Sequence, residues 1–316
     1  MGAISYRAGA LWPYRLVTSI LSSLISSYSG LFSIETHTAV QSITTGTDPD
    51  VPFLVHTSRG DIKASHVVHA TNGHSATLIP GLLGKLFPAR GQMTAQRPGK
   101  LFPPLGGARS WSIMHNNSDF EYMTQRPGVP NGDKNGVGGE LMLGGALLQS
   151  GGRGLDEIGV SNDADVNFNI GTYLGGVLPM LFGAKYWGAD AGAARVKSMW
   201  TGIMGFTVDV MPFVGRLESG ITGRKVPKRK KSEGKEHRVA AEPAEWIAAG
   251  YNGEGMVNAW LCGVAVGLMV LGRDGTDLEA EPGMVGGKVA DWLPAEYLIS
   301  KERLERSSIY ELALMI

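Results

Sequence analysis

Cysteine is nearly absent from this chain. The single one, Cys262, rules out an intrachain disulfide and makes no thiolate metal site by itself. An excess of either charge is missing too: 29 Lys and Arg balance 29 Asp and Glu. Net charge therefore gives no argument for nucleic acid or an anionic membrane as a partner. A membrane-spanning run is also lacking. Met256–Leu271 comes nearest, but its 16 residues include Gly263 and Gly267, against the roughly 20 apolar residues a spanning helix needs. It reads instead as a buried core helix. The N-terminus carries Arg7 and Arg15, but Trp12-Pro13-Tyr14 interrupts any signal-type apolar run. A reducing, cytoplasmic location is the expectation. No Ser/His/Asp set or pair of carboxylates marks a hydrolytic centre. His66 and His69 are three apart on a strand, so they point to opposite faces and share no metal.

Glycine is what the chain has in plenty: 45 of 316 residues, about twice the average share. No Gly-X-Y period accompanies it, so it signals tight turns and not collagen. At this length the chain buries one large core or two smaller ones. The stretch that organises it is Trp246–Leu271. Trp246–Ala249 reads as a short strand, Gly250-Tyr251-Asn252-Gly253-Glu254-Gly255 as a turn, and Met256 onward as a helix. Three glycines in six residues allow positive φ and the close approach of another group. The first turn of a helix has unpaired N–H groups and a partial positive charge. Together they make a seat for an anionic or electron-rich group. The other reading is a tight turn before a core helix. Trp200, Trp246 and Trp260 lie in apolar surroundings and are expected in the core.

In chain order, Pro13 suits the first turn of a helix whose apolar face is Leu16, Val17, Ile20, Leu21, Leu24 and Ile25. Phe32–Thr38, Ala39–Thr44, Phe53–Thr57 and Ile62–Ala70 are β-rich, with breaks at Gly46–Pro52 and Ser58–Asp61. The last run is apolar enough to be a central strand. It ends in Thr71-Asn72-Gly73, where open α/β sheets bind ligands. Arg90, beside Gly91, suits either a bidentate grip on a carboxylate or a structural salt bridge. Phe120–Arg126 and Glu140–Leu148 read as an antiparallel pair, with a bulge or a close backbone approach at Gly144-Gly145. Ser161-Asn162-Asp163 offers caps for an amphipathic helix from Val166 to Leu181. Arg195–Trp200 is a strand candidate. Trp200–Gly215 is nearly uncharged; its one carboxylate, Asp209, serves either a turn or a polar ligand. Leu217–Arg238 is polar and basic, and reads as a solvated insertion before a nuclear signal or an anion patch. Met284–Ile316 gives one or two amphipathic helices around Trp292-Leu293-Pro294.

The order of these blocks resembles that of the D-amino-acid-oxidase-like FAD-dependent oxidoreductases, the group with glycine and sarcosine oxidases, and its fungal members above all. Four segments carry the likeness. One is Ala10-Leu11-Trp12-Pro13-Tyr14; another is Gly60–Ala64 with Val67–Gly73, similar to the family's G-x-I-x-A-x-x-V-V-x-A-T-N-G run. Pro88-Ala89-Arg90-Gly91-Gln92 is similar to its P-V-R-G-Q, and Trp200–Pro212 with Gly215 and Gly250–Ala259 to its C-terminal flavin-binding half. The resemblance implies an α/β fold: a partial FAD/NAD(P)-binding-like layer beside an antiparallel substrate-binding sheet. It assigns 1–80 and 195–316 to the FAD-binding part, with the basic insertion at 217–238, and 81–194 to the substrate-binding part.

It further implies FAD as cofactor, an amine or amino acid as the small-molecule substrate, and hydride transfer to the flavin, which carries the redox chemistry. Val40 would meet the adenine. Ala70, Thr71, Asn72 and Gly73 would lie along the cofactor, and Gly202, Asp209 and Pro212 near the flavin and the ribityl–pyrophosphate arm. Gly250, Asn252, Gly253, Glu254, Gly255 and Met256 would meet the pyrimidine edge, where a helix N-terminus stabilises the charge of reduced flavin. Arg90, His115 and Trp200 are the catalytic, substrate-side candidates. One departure accompanies the match. The family opens with a strand, a G-x-G-x-x-G turn and a helix, and no segment here has that fingerprint in a βαβ setting. The expectation is a truncated oxidoreductase that holds FAD poorly on its own. The alternative is a non-catalytic remnant or interaction module that retains none.

Overall fold

The computed structural model describes residues 2–115, 120–128, 139–190, 194–228 and 240–310. The chain forms two compact units. The first is Met1–His37, Gly91–Gly154 and Ala164–Thr201; the second is Thr38–Arg90, Leu155–Asp163 and Gly202–Ile316.

Helix α1 (Pro13–Ser27) starts on Pro13, whose fixed φ and missing N–H suit a first turn. Strands β1 (Val40–Thr45), β2 (Phe53–Thr57) and β3 (Gly60–Ala64) then form an antiparallel meander. Ile43, Phe53 and Val55 alternate onto its buried face. Two expectations fail here. Phe32–Thr38 forms no strand. The run Ile62–Ala70 is not one strand: it breaks at Ser65, whose hydroxyl donates to Asp50 O at 2.6 Å, and resumes as β4 (His66–His69) in a different sheet.

Strands β5 (Leu86–Gln96), β6 (Ser110–Met114), β7 (Phe120–Gln125) and β8 (Leu141–Gly145) are followed by helix α2 (Phe168–Trp187) and strand β9 (Val196–Thr207). The five strands make one sheet in the order β6-β7-β8-β5-β9, and β5 and β9 carry the chain from one unit to the other. Met123, Leu141 and Leu143 pack with Ile170, Leu174 and Leu178 of α2 as the core of the first unit. The expected close approach at β8 is present: Gly145 has φ +105, and a Cβ there would lie 2.4 Å from Phe120 O. The cap of α2 is Asn167 and not Ser161–Asp163; its Oδ1 accepts from the Asn169 and Ile170 N–H groups. Inside α2, Pro179 has no N–H for the Gly175 carbonyl. Arg195 Nη2 donates to that carbonyl, and Gln96 Nε2 to its neighbour Leu174 O at 2.7 Å. Arg195, just before β9, thus answers the carbonyl that the helix proline leaves free.

The second unit adds β10 (Phe213–Arg216), α3 (Ser219–Thr222), β11 (Ala244–Ala249), α4 (Gly255–Val270), α5 (Val289–Trp292) and α6 (Lys301–Arg306). Here β11 lies between β10, antiparallel to it, and β4, parallel to it. Every residue of β11 is buried. Strand β4 was expected to be central; among the described residues it is an edge, with Val68 49% exposed. Leu217–Arg238 is not solvated at its start. Leu217, Ile221 and Thr222 are buried, and Arg224 is bound to Glu245; residues 229–238 of that segment lie outside the described residues.

Helix α4 buries Cys262, Ala265, Val266 and Leu268, but Met256, Val257 and Trp260 are exposed. The core-helix expectation therefore holds for one face only. Of the three tryptophans expected inside, only Trp246 is buried; the Trp260 indole N–H bonds Gly283 O at the surface, and Trp200 is also exposed. Burial pushes the Cys262 thiol up to about 11, so it stays protonated and shielded. Maleimide at pH 8 is expected to leave Cys262 untouched in the folded chain and to label it fully in denaturant; native labelling at the denatured rate would contradict this packing. No helix among the described residues is long and apolar enough to cross a membrane.

Candidate functional site

Three segments of the second unit meet at the end of its small sheet: 70–73 after β4, 204–212 at the end of β9 and the turn that follows it, and 250–255 between β11 and α4. Two asparagines tie them together. Asn72 Oδ1 accepts the Gly250 N–H at 2.9 Å. Asn252 Oδ1 accepts the Thr207 N–H at 2.8 Å, and its Nδ2 donates to Gly250 O at 2.7 Å. The Asn252 N–H donates to Gly205 O at 2.8 Å. Both asparagines adopt left-handed backbone, with φ 43° and 53°, which Asn tolerates better than most residues.

Glycines let the turns close on one another. A Cβ at Gly73 would lie 2.6 Å from Met204 O, one at Gly205 2.4 Å from Asn72 Oδ1, and one at Gly250 2.4 Å from Thr207 Cγ2. Gly253 and Gly255 differ. Gly253 has φ +86, but its nearest neighbour would be Met204 Sδ at 4.0 Å; Gly255 lacks positive φ and would meet only Tyr251 Cβ at 3.8 Å. Gly202 faces nothing within 4 Å. No side chain among the described residues caps α4, whose N-cap is the exposed Glu254 and whose second residue is Met256.

The 209–212 turn is pinned from α6. Arg303, 4% exposed, donates Nε to Asp209 Oδ2 at 2.7 Å and Nη2 to Asp209 Oδ1 at 3.0 Å. Its remaining donors reach Met211 O, Pro212 O and Tyr297 O, and its plane covers the Phe213 ring. Burial raises the Asp209 carboxyl, but the Arg303 hydrogen bonds and charge, with Met211 N–H and Ser307, outweigh it and hold the group below its ordinary value. Of the two readings of Asp209, the turn former is the one this geometry matches; the carboxylate does not face outward for a polar ligand. Val210, β-branched, sits at φ 59° in this turn, a strained conformation that the surrounding bonds impose.

A second buried pair lies at the root of 70–73. His69 Nε2 donates to Glu245 Oε2 at 2.8 Å, and Arg224 grips both Glu245 oxygens at 2.7 and 2.6 Å. Burial raises the Glu245 carboxyl, while His69 and Arg224 more than offset this and hold it low. Ala70 and Thr71 are exposed beyond it; the Thr71 hydroxyl pairs with Ser75 at 2.9 Å. Val40 belongs to the meander, paired with Thr57, and not to the three turns.

Of the substrate-side candidates, Arg90 matches the structural salt bridge. Its Nε and Nη2 hold the fully buried Glu157 at 2.7 and 2.8 Å, so this fork is not open to a ligand carboxylate. His115 bonds the fully buried Glu121 in the first unit. Trp200 is on β9, 36% exposed. No group of three or more metal-ligating side chains occurs among the described residues. Sequence reasoning missed Gly205, Thr207 and Arg303. It also missed the cross-linking role of the asparagines, although Asn72-Gly73 and Asn252-Gly253 are the N-G signature of a left-handed turn. Arg303 had no local signal: its partner is 94 positions away.

An antiparallel sheet in one unit, and glycine turns gathered at the end of a mixed sheet in the other, define the class: a fold of the FAD-binding oxidoreductases. Residues 1–267 match the DAO family, FAD dependent oxidoreductase, and the chain belongs to that family, whose cofactor is FAD. Its fold is similar to that of glycine oxidase from Geobacillus kaustophilus, at 16% identity and TM-score 0.52 over 85% of this chain and 53% of that one. Iminodiacetate oxidase (IdaA) from Chelativorans sp. BNC1 is similar at 16% identity and TM-score 0.51, over 82% and 54%. The chain spans about half the length of these structures. No curated protein sequence matches it.

Proposed function

We propose that this chain serves an FAD-dependent oxidation of a C–N bond in an amine or amino acid. The observation that carries the reading is the three-turn cluster. The glycines at 73, 205 and 250 are used up in closing the turns, whereas a Cβ at 253 or 255 would make only an ordinary contact, at 4.0 and 3.8 Å, and one at Gly202 on β9 none within 4 Å. A Cβ at these less crowded positions would occupy room that a flat ring edge needs. The uncapped start of α4 adds N–H groups and positive potential beside that room. These features fit the electron-rich pyrimidine edge of a flavin. In this reading Gly250, Asn252, Gly253, Glu254, Gly255 and Met256 line that edge, and 70–73 with Gly202 flank it. Asp209 and Pro212 shape the neighbouring turn, with Arg303 holding it. FAD, when bound, accepts the hydride; the protein orients the substrate and sets the field around the ring.

The names of the similar structures, glycine oxidase and iminodiacetate oxidase, support a small amine or amino acid as the substrate class. The test is direct. The purified chain is mixed with FAD, freed of excess by gel filtration, and given glycine, N-methylglycine or D-alanine without oxygen. Retained yellow colour that bleaches with one of these amines supports the proposal. A second reading rests on the missing G-x-G-x-x-G turn, which leaves the pyrophosphate without its usual seat among these residues. Under it the chain is an interaction module, folded but colourless after gel filtration, and that result overturns the first reading for this chain alone.

A further inference from the structure

The path into α6 walls a cavity that the proposed function leaves unused. After Leu293 the chain makes one 3₁₀ turn over Ala295–Tyr297, bridges to Val214 of β10 through Leu298, and enters α6 at Ser300. Ile299 and Leu304 anchor this path in the core, beside Phe213 and Ile221. Ser300 Oγ accepts the Arg303 N–H at 3.1 Å and fixes the first turn of the helix. The cavity between these pieces measures about 230 Å³ and lies wholly in the second unit. That is room for one small molecule, below the roughly 300–1,000 Å³ of pockets that take drug-sized ligands. Its lining is apolar at Ala295 and Leu298 and charged at Glu296, Glu302, Arg303 and Arg306.

One of these charges is already matched. Arg303 places its donors on Asp209 and on the carbonyls of Met211, Pro212 and Tyr297. The other three are not matched among the described residues. Glu302 and Arg306 stand four apart on α6 with the acid first, the favoured order for a helix ion pair. Lys301 and Glu305, at the same spacing one residue earlier, do pair, at 3.4 Å. Glu302 and Arg306 do not, and Glu296 has no cation within ion-pair reach among the described residues. Hydrogen bonds from its own N–H and from Ser300 hold the Glu302 carboxyl below its ordinary value. The cavity therefore offers one guanidinium and two carboxylates around an apolar patch. A simple anion would meet the two carboxylates, and a simple amine would leave the guanidinium unanswered. We propose that this cavity binds a free amino acid with an apolar side chain. Its carboxylate lies on Arg306, in the bidentate manner of a guanidinium. Its ammonium, with three donors, serves Glu296 and Glu302 together, and its side chain packs on Ala295 and Leu298. The site takes the intact zwitterion and needs no flavin.

The test uses the full chain labelled with 15N, without flavin. Leucine is titrated beside isoamylamine, which lacks its carboxylate, and isocaproate, which lacks its amine. Leucine is expected to move the amide signals of 295–306 and to bind at least tenfold more tightly than either analogue. Arg306→Gln is expected to reduce leucine binding at least tenfold, to the level of isoamylamine. Glu296→Gln combined with Glu302→Gln is expected to reduce it to the level of isocaproate. All three positions are exposed, so these variants are expected to keep the parental circular dichroism and urea midpoint. Leucine binding no tighter than that of the analogues, shifts confined to other segments, or undiminished binding by a folded Arg306→Gln chain overturns the proposal. FAD uptake enters none of these readouts. A chain that stays colourless yet binds leucine here, or the converse, tells failure of one reading from failure of the other.

Discussion

Arg303→Ala is expected to lower stability by about 3–5 kcal/mol, the range for removing one partner of a buried ion pair. The reason is the number of groups that depend on it. Five donor contacts go to Asp209, Met211 O, Pro212 O and Tyr297 O, and without them Asp209 keeps a half-buried charge with no guanidinium. Against a typical total of about 5–15 kcal/mol, the loss leaves little in reserve. Urea unfolding reads it directly, and Arg303→Lys, a point charge without the planar fork, is expected to recover only part. A midpoint unchanged in Arg303→Ala would remove the pin from the account of this turn.

The same pair sets an acid limit. The folded-state carboxyl of Asp209 is held below its ordinary value. The stability it contributes is therefore complete above the unfolded value of about 3.9. It is lost as pH falls through the lower folded one. Asp209→Asn is expected to be less stable at pH 7 and to show a flatter decline from pH 5 downward. Parallel acid limbs for the two proteins would count against the linkage.

Gly250→Val is expected to cost about 2–5 kcal/mol, and Gly255→Val far less. At Gly250 the φ of +78° carries about 1–2 kcal/mol for a residue with a Cβ. Overpacking against Thr207 Cγ2 at 2.4 Å and Leu86 Cδ1 at 3.1 Å adds about 1–3 more. Gly255 has neither problem, because it is an ordinary helical position with its nearest neighbour at 3.8 Å. The two substitutions therefore separate folding from ligand approach. If the open side of the turn admits a flavin edge, Gly255→Val folds with nearly parental thermal stability and takes up less FAD than its parent under identical mixing. Equal flavin uptake by both proteins would withdraw Gly255 from the proposed edge, whatever happens at Gly250.

Much of the fold was legible because it depends on neighbours in the chain. Pro13 begins α1, alternation marks the meander and the β7–β8 pair, and Trp246–Leu271 reads as strand, turn and helix without any partner. The N-G pairs at 72–73 and 252–253 announce left-handed turns by their own chemistry. Arg90, the 71–73 turn and the 250–255 seat were read from the residues and the remaining candidates came from resemblance, but the sequence alone did not assign their partners. Tertiary structure decided those. His69 and Glu245 are 176 positions apart, Asp209 and Arg303 94, and Arg90 and Glu157 67. No local pattern encodes such a pairing, because an ion pair depends on where two side chains end up, not on what precedes them. Burial was decided in the same way: Trp246 is inside and Trp260 outside, although both lie in apolar sequence, since only packing against a sheet chooses which face of α4 is covered. The sequence by itself determined which turns exist; only the folded chain determined which of their glycines close the turns and which leave room for a side chain.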